Sequence, residues 1–417
     1  MLSWTGKSKG YNITVTTALA GDFKMQTFNL SDFSSEYLYS VDSTMESECI
    51  NVSAFHAAKY QYQTGQIMLV TVILPLIFFI GMTGNIAFIY VAFRVKHMRT
   101  ITNRYLVNLS VADCLFLTAA IGDKVWKYIK SPILGDTTPL GPFGCIWVYF
   151  ISDTAYFASL IFITIVSLDR YIAVCRPQDR RNLMKSRSQV VIAATWIVAG
   201  LLSACLIPSN AKFAVFCFAW PAIDPYSSWT STVSVCLAVK EWVADFATGL
   251  QTVPFFISLV VNTYLYRGII HGLDQSIKRM SQHGVTPDRR TRTQIANMLV
   301  VNGIIFFCLL APFELGSLFQ ILASIRGGTD YTYLISNNAI RSFMMLLARI
   351  LSYTNAAVNP LVYTAMCRRY REAFKNALVP DQCMLKERQQ KESNLTLQMT
   401  VHAVDKGKEE ETLATQM

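Results

Sequence analysis

Seven long runs of apolar residues divide the chain, and polar connections separate them. Each run reaches the roughly 20 residues that a helix needs to cross the hydrocarbon core of a bilayer. The runs are too long and too continuously apolar for the short, alternating strands of a membrane barrel. We therefore predict an all-α membrane protein, a bundle of seven transmembrane helices. The predicted spans are 67–93, 104–129, 143–174, 189–208, 243–271, 294–323 and 337–364.

Composition and charge agree with this pattern. Of the 417 residues, 52% are hydrophobic and 15% are charged, and the mean hydropathy is +0.33; a soluble domain usually carries about 25% charged residues. Basic residues concentrate in 94–104, 175–188, 267–292 and the stretch that follows the last span. Since Lys and Arg accumulate on the cytoplasmic side, we place the amino terminus outside the plasma membrane. The net charge of +10 then describes one membrane face, and not a nucleic-acid site.

The first 66 residues form a separate, polar segment. The first span begins only after this segment, so it is not a signal peptide. The segment is low in aliphatic residues and has no periodicity, which predicts a largely disordered extracellular tail. Three acceptor sequons in it, at Asn12, Asn29 and Asn51, predict glycosylation. Matches at Asn108 and Asn394 fall in a span and in the cytoplasmic tail, and we treat them as chance.

Ten cysteines are scattered along the chain without the spacing of a zinc site. Cys145 opens the third span on the outside, where disulfides persist. Its partner is expected in the outer connection 209–242, which offers Cys217 and Cys236; we favour Cys236, with Cys217 left free or joined to Cys49. Cys383 is a palmitoylation candidate, and a free cytosolic thiol is the alternative.

Polar side chains inside spans are costly and point to function. Asp113, Ser159, Asn355 and Asn359 fall at comparable depths in the second, third and seventh spans. Several oxygen ligands around one carboxylate suit a small hard cation, so we predict an allosteric sodium site. The alternative is a hydrogen-bonded knot that pins the helices together.

A second polar group is predicted nearer the outer face. Asp153, Glu314 and Arg349 lie there, and mutual pairing would offset much of their desolvation cost. Aromatic residues accompany them, which suits a polar ligand with amide groups; a structural salt bridge is the alternative. The aromatic residues are Tyr149, Tyr156, Phe313 and Tyr353. Proline kinks at Pro75, Pro254, Pro312 and Pro360 provide the hinges that a two-state protein needs.

Several ordered motifs over about 67–380 resemble the rhodopsin-like (class A) G-protein-coupled receptors. The markers in chain order are "GMTGN" ending at Asn85, "NLSVAD" ending at Asp113, Cys145, "LDRY" from 168 to 171, Trp196, Pro312 and "NPLVY" from Asn359 to Tyr363. "RRYREAF" resembles the amphipathic eighth helix, which we place at 366–379. The receptor domain is then 67–365, and 380–417 is a cytoplasmic tail.

Two positions depart from the family. Leu310 stands where the family usually has tryptophan, and Pro254 lies twelve residues before Tyr266, where eight is typical. Retinal is excluded, because Tyr353 occupies the position of the opsin lysine. An amine receptor needs an aspartate at the position of Ser152. Asp153 is one residue later, about 100° away around the helix, so we do not expect an amine ligand.

Within the family, "VKHMRTITNRYLVNLSVADCLFLTAA" and "AMCRRYREAF" resemble the thyrotropin-releasing-hormone-receptor-like neuropeptide receptors. Arg349 matches the arginine with which those receptors contact an amidated peptide, whereas Asp153, Phe157 and Phe313 replace their other ligand residues. The resemblance implies a receptor for a different short peptide. The implied ligand residues are Asp153, Tyr156, Phe157, Phe313, Glu314, Arg349 and Tyr353.

The resemblance also implies a mechanism. Agonist binding moves the cytoplasmic end of the sixth span outward, and Arg170 leaves Asp169 to receive a heterotrimeric G protein. The residues implied in activation are Asp169, Arg170, Tyr171, Tyr266, Arg292, Pro312, Asn359, Pro360 and Tyr363. The chain has no P-loop or other catalytic constellation, so we do not expect an enzyme.

Further partners are predicted at the carboxyl terminus. Receptor kinases would phosphorylate Ser393, Thr396, Thr400 and Thr412 and so recruit arrestin, and "TQM" at 415–417 resembles a PDZ-domain ligand. The alternatives for the whole chain are a receptor for a lipid or other small molecule and a membrane transporter. A transporter would show two related halves, and we find no such repeat.

Overall fold

The computed structural model describes residues 12–19, 22–29, 49–176, 188–283, 287–325 and 338–378. Helices α2 to α8 are the seven predicted spans. The helices are α1 (Ala54–Tyr60), α2 (Thr64–Arg94), α3 (Ile101–Lys130), α4 (Gly141–Cys175), α5 (Ser188–Leu206), α6 (Glu241–His283), α7 (Pro287–Ile325), α8 (Asn338–Met366) and α9 (Arg368–Leu378). Single 3-10 turns lie at Lys96–Met98, Thr138–Leu140, Ile207–Ser209 and Tyr226–Ser228.

The predicted spans agree with the helices but miss some of their ends. Helix α6 continues past the predicted end at 271, and α7 begins before the predicted start at 294. Both extensions are polar, because the helices leave the lipid there and hydropathy no longer marks them. Helices α2 to α7 are long and apolar enough to cross a membrane. Helix α8 has the length, but its sequence includes Arg349, Asn355 and Asn359.

Helix α4 lies at the centre of the bundle and packs against α3, α5, α6 and α7, while α8 contacts α2, α3 and α7. The outward surface is apolar: Phe79, Val190 and Val260 are 67%, 68% and 70% exposed. An apolar surface of this extent marks contact with a membrane. The bundle therefore keeps its polar side chains inside and presents its apolar ones to lipid.

Small residues bring α2 and α8 into close contact. A Cβ added at Gly81 would lie 2.9 Å from the Ala357 Cβ and would also overlap Leu117. One turn along α2, Asn85 donates a 2.9 Å hydrogen bond to the Ala356 carbonyl oxygen. Close approach of backbones across small residues is the usual way in which helices associate in lipid.

A small domain covers the outer end of the bundle, and we call it the outer cap (residues 49–60 and 207–239). In it β3 (Ile50–Asn51) pairs in parallel with β4 (Lys212–Ala219), which pairs antiparallel with β5 (Thr232–Leu237). Its core is apolar and includes residues of α1 and of the α3–α4 connection. The buried side chains are Ala57, Ile133, Phe218, Tyr226, Trp229 and Val233.

Two disulfides fasten the outer cap. Cys145 at the start of α4 is bonded to Cys236, the partner that the sequence favoured, and Cys217 is bonded to Cys49. The second bond ties the entry to the first span to strand β4. The cap is thus held covalently at α4 and at the amino-terminal segment.

The amino-terminal tail, expected to be largely disordered, contains two strands. β1 (Asn12–Leu19) and β2 (Asp22–Asn29) pair antiparallel. The β-branched residues of "NITVTTAL" favour a strand, which the low aliphatic content of the whole tail concealed. At the other end, α9 begins two residues after the predicted start of the eighth helix.

Candidate functional site

In the outer half of the bundle, Glu314 of α7 is fully buried. Its Oε1 accepts a 2.7 Å hydrogen bond from the Tyr156 hydroxyl of α4. Pro312 lies inside α7, two residues earlier. The neighbouring Phe157, predicted to contact ligand, is 1% exposed and belongs to the apolar core. Tyr156 and Glu314 therefore form one polar contact between α4 and α7.

The predicted mutual pairing of Asp153, Glu314 and Arg349 is not formed. Asp153 lines a crevice with Cys145, Ser203 of α5 and Asn210, so it faces α5 and lies apart from Glu314. Arg349 is exposed on α8. Among the described residues no ion pair joins these three side chains: Glu314 is bonded through Oε1 to Tyr156, and Asp153 lines the crevice beside α5.

The sequence analysis missed a buried charge cluster on α3. Asp123 accepts from two lysines: Lys127 Nζ lies 2.7 Å from Oδ1, and Lys124 Nζ lies 2.8 Å from Oδ2. The side chains of Asp123 and Lys127 are 3% and 9% exposed. One carboxylate thus pairs with two ammonium groups. We call Asp123, Lys124 and Lys127 the α3 charge cluster.

Tyr149 of α4 connects the α3 charge cluster with the remaining outer charges. Its hydroxyl lies 3.5 Å from Lys127 Nζ, which is 5.7 Å from the ring centroid. Asp153 lies one turn further along α4 and lines the same crevice as Tyr149. At the rim, burial and the nearby Asp123 carboxylate raise the pKa of Tyr62 to about 12, so that this hydroxyl stays a hydrogen-bond donor at neutral pH.

The other two aromatic candidates differ in position. Tyr353 of α8 is buried, and its ring centroid lies 6.0 Å from that of Phe116. Phe313 of α7 is partly buried, and its carbonyl oxygen accepts from the Ser317 hydroxyl at 3.2 Å. Tyr353 thus packs against α3, whereas the described contact of Phe313 is within its own helix.

Deeper in the bundle, the predicted polar group comes together around Asp113. Asn359 Nδ2 donates to Asp113 Oδ2 at 2.7 Å, and the Ser159 hydroxyl donates to Oδ1 at 3.3 Å. The buried Oδ1 atoms of Asn355 and Asn359 have no hydrogen-bond partner within the part of the chain that the structure describes. A carboxylate, a hydroxyl and two unsatisfied amide oxygens are the donor set that a hard cation prefers.

A cavity lies between Asp113 and Tyr156. It offers about 20 Å³ to the centre of a water molecule, and its lining includes Ser159, Asn355 and Leu310. A volume of this size holds about one water molecule. Leu310, where the resemblance expects tryptophan, therefore borders open space that continues from the outer polar contact to Asp113.

At the opposite end of α4 from Cys145, Asp169 and Arg170 form an ion pair. Arg170 Nη2 lies 2.8 Å from Asp169 Oδ2, and the same oxygen accepts a 2.5 Å hydrogen bond from the Thr102 hydroxyl of α3. Asp169 is 0% and Arg170 8% exposed. A buried charge pair of this kind persists only with good geometry and additional hydrogen bonds, and Thr102 provides one.

Two tyrosines predicted to take part in activation are buried nearby. The Tyr266 hydroxyl of α6 accepts from the Ser167 hydroxyl at 3.0 Å, and it occupies the space that a Cβ on Gly303 of α7 would need. Tyr363 packs with Phe88 and Tyr370, at centroid distances of 5.2 and 5.9 Å.

The remaining predicted residues lie outside these groups. Tyr171 is partly buried and packs near Tyr264 at 6.3 Å. Pro360 lies inside α8, and Asn51 is exposed on β3. The side chains of Asn12, Asn29 and Arg292, and the whole of Cys383, lie outside the described residues.

Comparisons with known proteins agree with this architecture. The family described as "7 transmembrane receptor (rhodopsin family)" matches residues 84–363. Neuromedin-U receptor 2 of Mus musculus is 26% identical over 321 residues, 75% of each chain. Somatostatin receptor type 5 of Rattus norvegicus is 27% identical over 75% of this chain and 78% of its own. Thyrotropin-releasing hormone receptor of Mus musculus is 26% identical over 76% and 80%.

Proposed function

Because the chain belongs to the rhodopsin family of seven-transmembrane receptors, we propose that it is a G-protein-coupled receptor for a short peptide. The observation that carries the peptide class is the set of charged side chains under the outer cap, at Asp123, Lys124, Lys127, Asp153 and Arg349. Acyl chains gain little from contact with charged side chains, whereas a peptide offers amides and charges that can pair with them. The similar proteins named after peptides support the same class.

The ligand would meet both signs of charge. Arg349 is exposed and Lys124 has 37% of its side chain exposed, so these two cations are open to a carbonyl or acidic group of the peptide. Asp153 would receive a basic side chain or the terminal amine, and Glu314 would do so only once its bond to Tyr156 opens. Phe157 is too deeply buried to contact the ligand directly and would act through Tyr156, with which it packs at 5.4 Å.

The binding energy would then shift a two-state equilibrium. An agonist favours the active state only through contacts that are better in that state. Tyr156 and Glu314 join α4 to α7 below the outer charges, so a ligand that competes for Glu314 would loosen this contact. Movement of the cytoplasmic end of α7 would release Arg170 from Asp169 for the G protein.

Arg349→Ala should lower the potency of an activating peptide by about 10- to 100-fold, the loss expected for a hydrogen bond to a charged group. A panel of amidated and free-acid neuropeptides, with calcium and cAMP as readouts in cells that express the receptor, would supply the agonist. Lys130→Ala is the matched control, since Lys130 is exposed and stacks on the Trp126 ring at 4.9 Å. Equal potency in wild-type and Arg349→Ala receptors at equal surface expression would remove Arg349 from the site.

If no peptide of the panel activates the receptor, and a lipid or another small molecule does so in the same cells, the peptide assignment is wrong and the receptor assignment stands. Uptake of a solute without G-protein activation would contradict the receptor assignment itself. The two results are separable in the same cells.

We further propose that Asp113, Ser159, Asn355 and Asn359 hold an allosteric sodium ion. Their oxygens fit such an ion, since two buried amide oxygens lack partners beside the carboxylate. When bound, the ion supplies positive charge that neutralises Asp113 and links α3, α4 and α8 in the resting arrangement.

Sodium should therefore stabilise the receptor in a way that depends on Asp113. In detergent, the thermal midpoint of the purified protein should be higher in sodium chloride than in choline chloride at equal ionic strength. Asp113→Asn should abolish the difference, because it removes the charge while keeping the hydrogen-bonding shape. A difference that survives in Asp113→Asn would place sodium elsewhere.

The remaining assignments are proposals of the same kind. We expect a plasma-membrane protein with its amino terminus outside, glycosylated at Asn12, Asn29 and Asn51 and palmitoylated at Cys383. The chain has no enzymatic role in this scheme; exchange of guanine nucleotide occurs on the G protein. Receptor kinases, arrestin and a PDZ protein would engage the tail after Leu378.

A further inference from the structure

The contact between α4 and α6 contains three polar side chains in the membrane interior, which we call the α4–α6 polar node. Thr164 of α4 shares a 2.7 Å hydrogen bond with the Ser258 hydroxyl of α6. Asn262 Nδ2, one turn further along α6, donates to Thr164 Oγ1 at 2.8 Å and to the Ser258 carbonyl oxygen at 2.8 Å. Asn262 is 0% and Ser258 7% exposed.

Ser258 occupies the position, eight residues before Tyr266, at which the family typically has proline. Proline has no N–H and carries no hydroxyl, so it cannot make this bond. Here the proline lies one turn earlier, at Pro254, and the vacated position carries a side chain that reaches across to α4. The chain thus keeps a proline in α6 but has an interhelical hydrogen bond at the position where the family typically has that proline.

The α4–α6 polar node is aligned with the Tyr266 contact. Thr164 and Ser167 are three residues apart on α4, and Asn262 and Tyr266 are four apart on α6, so each pair lies on one face of its helix. The hydrogen bond from Ser167 to Tyr266 is therefore the next polar contact along the same α4–α6 interface. Both this bond and the α4–α6 polar node are present in a structure in which Asp169 and Arg170 are paired.

In lipid, such bonds have few competitors, although each contributes only modestly. The amide oxygen of Asn262 is buried without a partner among the described residues, so the node is only partly satisfied. A partly satisfied polar group is easier to rearrange than a fully satisfied one. These features suit a contact that is made in one state and given up in another.

We infer that Thr164, Ser258 and Asn262 are positioning residues that hold α6 in its resting register against α4, and that the node opens when the receptor activates a G protein. The inference rests on the proposed function. In this inference Ser258 positions α6 through its hydrogen bond to Thr164, whereas a proline at this position would position α6 through the shape of the helix.

The test is basal guanine-nucleotide exchange on a purified heterotrimeric G protein, without agonist, at matched receptor amounts. Thr164→Val and Ser258→Ala should each raise exchange by at least roughly threefold. The double variant should rise no further than Thr164→Val, because that substitution already removes the bond to Ser258 together with the bond from Asn262. Thr263→Val is the matched control: Thr263 is exposed on α6 and its hydroxyl bonds only to the Leu259 carbonyl oxygen, at 2.7 Å.

Asp169→Asn serves as a reference that distinguishes two failures. If it raises exchange while Thr164→Val and Ser258→Ala do not, the node is structural only and the inference is wrong. If neither the wild type nor any variant supports exchange, the proposed function is wrong, and the inference that rests on it is wrong as well. Thermal midpoints of the two single variants and the double variant give a second measurement: additive effects would show that Thr164 and Ser258 are not coupled.

Discussion

Replacing Asp123 with alanine is expected to destabilise the receptor by about 3 kcal/mol, because Lys127 would remain buried without a counter-charge. Lys127 Nζ lies 2.7 Å from Asp123, and its side chain is 9% exposed. Its only other described polar neighbour is the Tyr149 hydroxyl, at 3.5 Å, which cannot neutralise an ammonium group. The measurement is the thermal midpoint of the purified receptor, with surface expression as a second readout.

A second change should reverse most of this loss. In Asp123→Ala with Lys127→Met, no charge stays buried, and an apolar side chain of similar length fills the space; exchanges of buried pairs for apolar groups are often close to neutral. Lys124→Gln is the control, since 37% of this side chain is exposed. If Asp123→Ala alone is as stable as the wild type, Lys127 does not need Asp123 as a counter-charge, and the α3 charge cluster does not contribute to the stability of the receptor.

Asp169→Asn is expected to raise signalling in the absence of ligand. The substitution keeps the shape of the side chain but removes the charge that pairs with Arg170 at 2.8 Å. A loss of about 1 kcal/mol from the resting state corresponds to roughly a fivefold larger active population. Basal nucleotide exchange at matched surface expression is the measurement.

Thr102→Val tests whether the geometry of Asp169 contributes to this effect. The variant removes the 2.5 Å hydrogen bond to Asp169 Oδ2 and leaves both charges in place. We expect a smaller rise than in Asp169→Asn. Unchanged basal exchange in a well-expressed Asp169→Asn receptor would argue against the ion pair as a restraint on activation.

The sequence predicted the fold well because lipid imposes a simple rule. Only long apolar helices cross a bilayer, so hydropathy located all seven spans, and the same rule singled out Asp113, Ser159 and Asn359 as side chains that need partners. The structure joins these three directly. At the end of α6 and the start of α7 the residues are polar, so hydropathy no longer marks the helices there, and the predicted spans were too short.

The outer charges were harder to predict, for a physical reason. At the ends of spans charged residues are common and usually solvated, so "GDKVWKYIK" gave no sign that Asp123 and Lys127 are buried. The pairing of Asp153, Glu314 and Arg349 was wrong because depth along a helix does not determine direction around it. The spacing from Asp123 to Lys127 is that of a helical ion pair, and it was the available signal.

The bond between Cys49 and Cys217 closes the chain into a covalent ring that contains α2 to α5. The residues before Cys49, with the β1–β2 hairpin and the sequons at Asn12 and Asn29, lie outside this ring. A protease that cuts just before Cys49 would remove the hairpin and two of the three predicted glycosylation sites, and the outer cap would keep its disulfide anchors. Such a cut would therefore separate the hairpin from the receptor domain and leave the covalent ring closed.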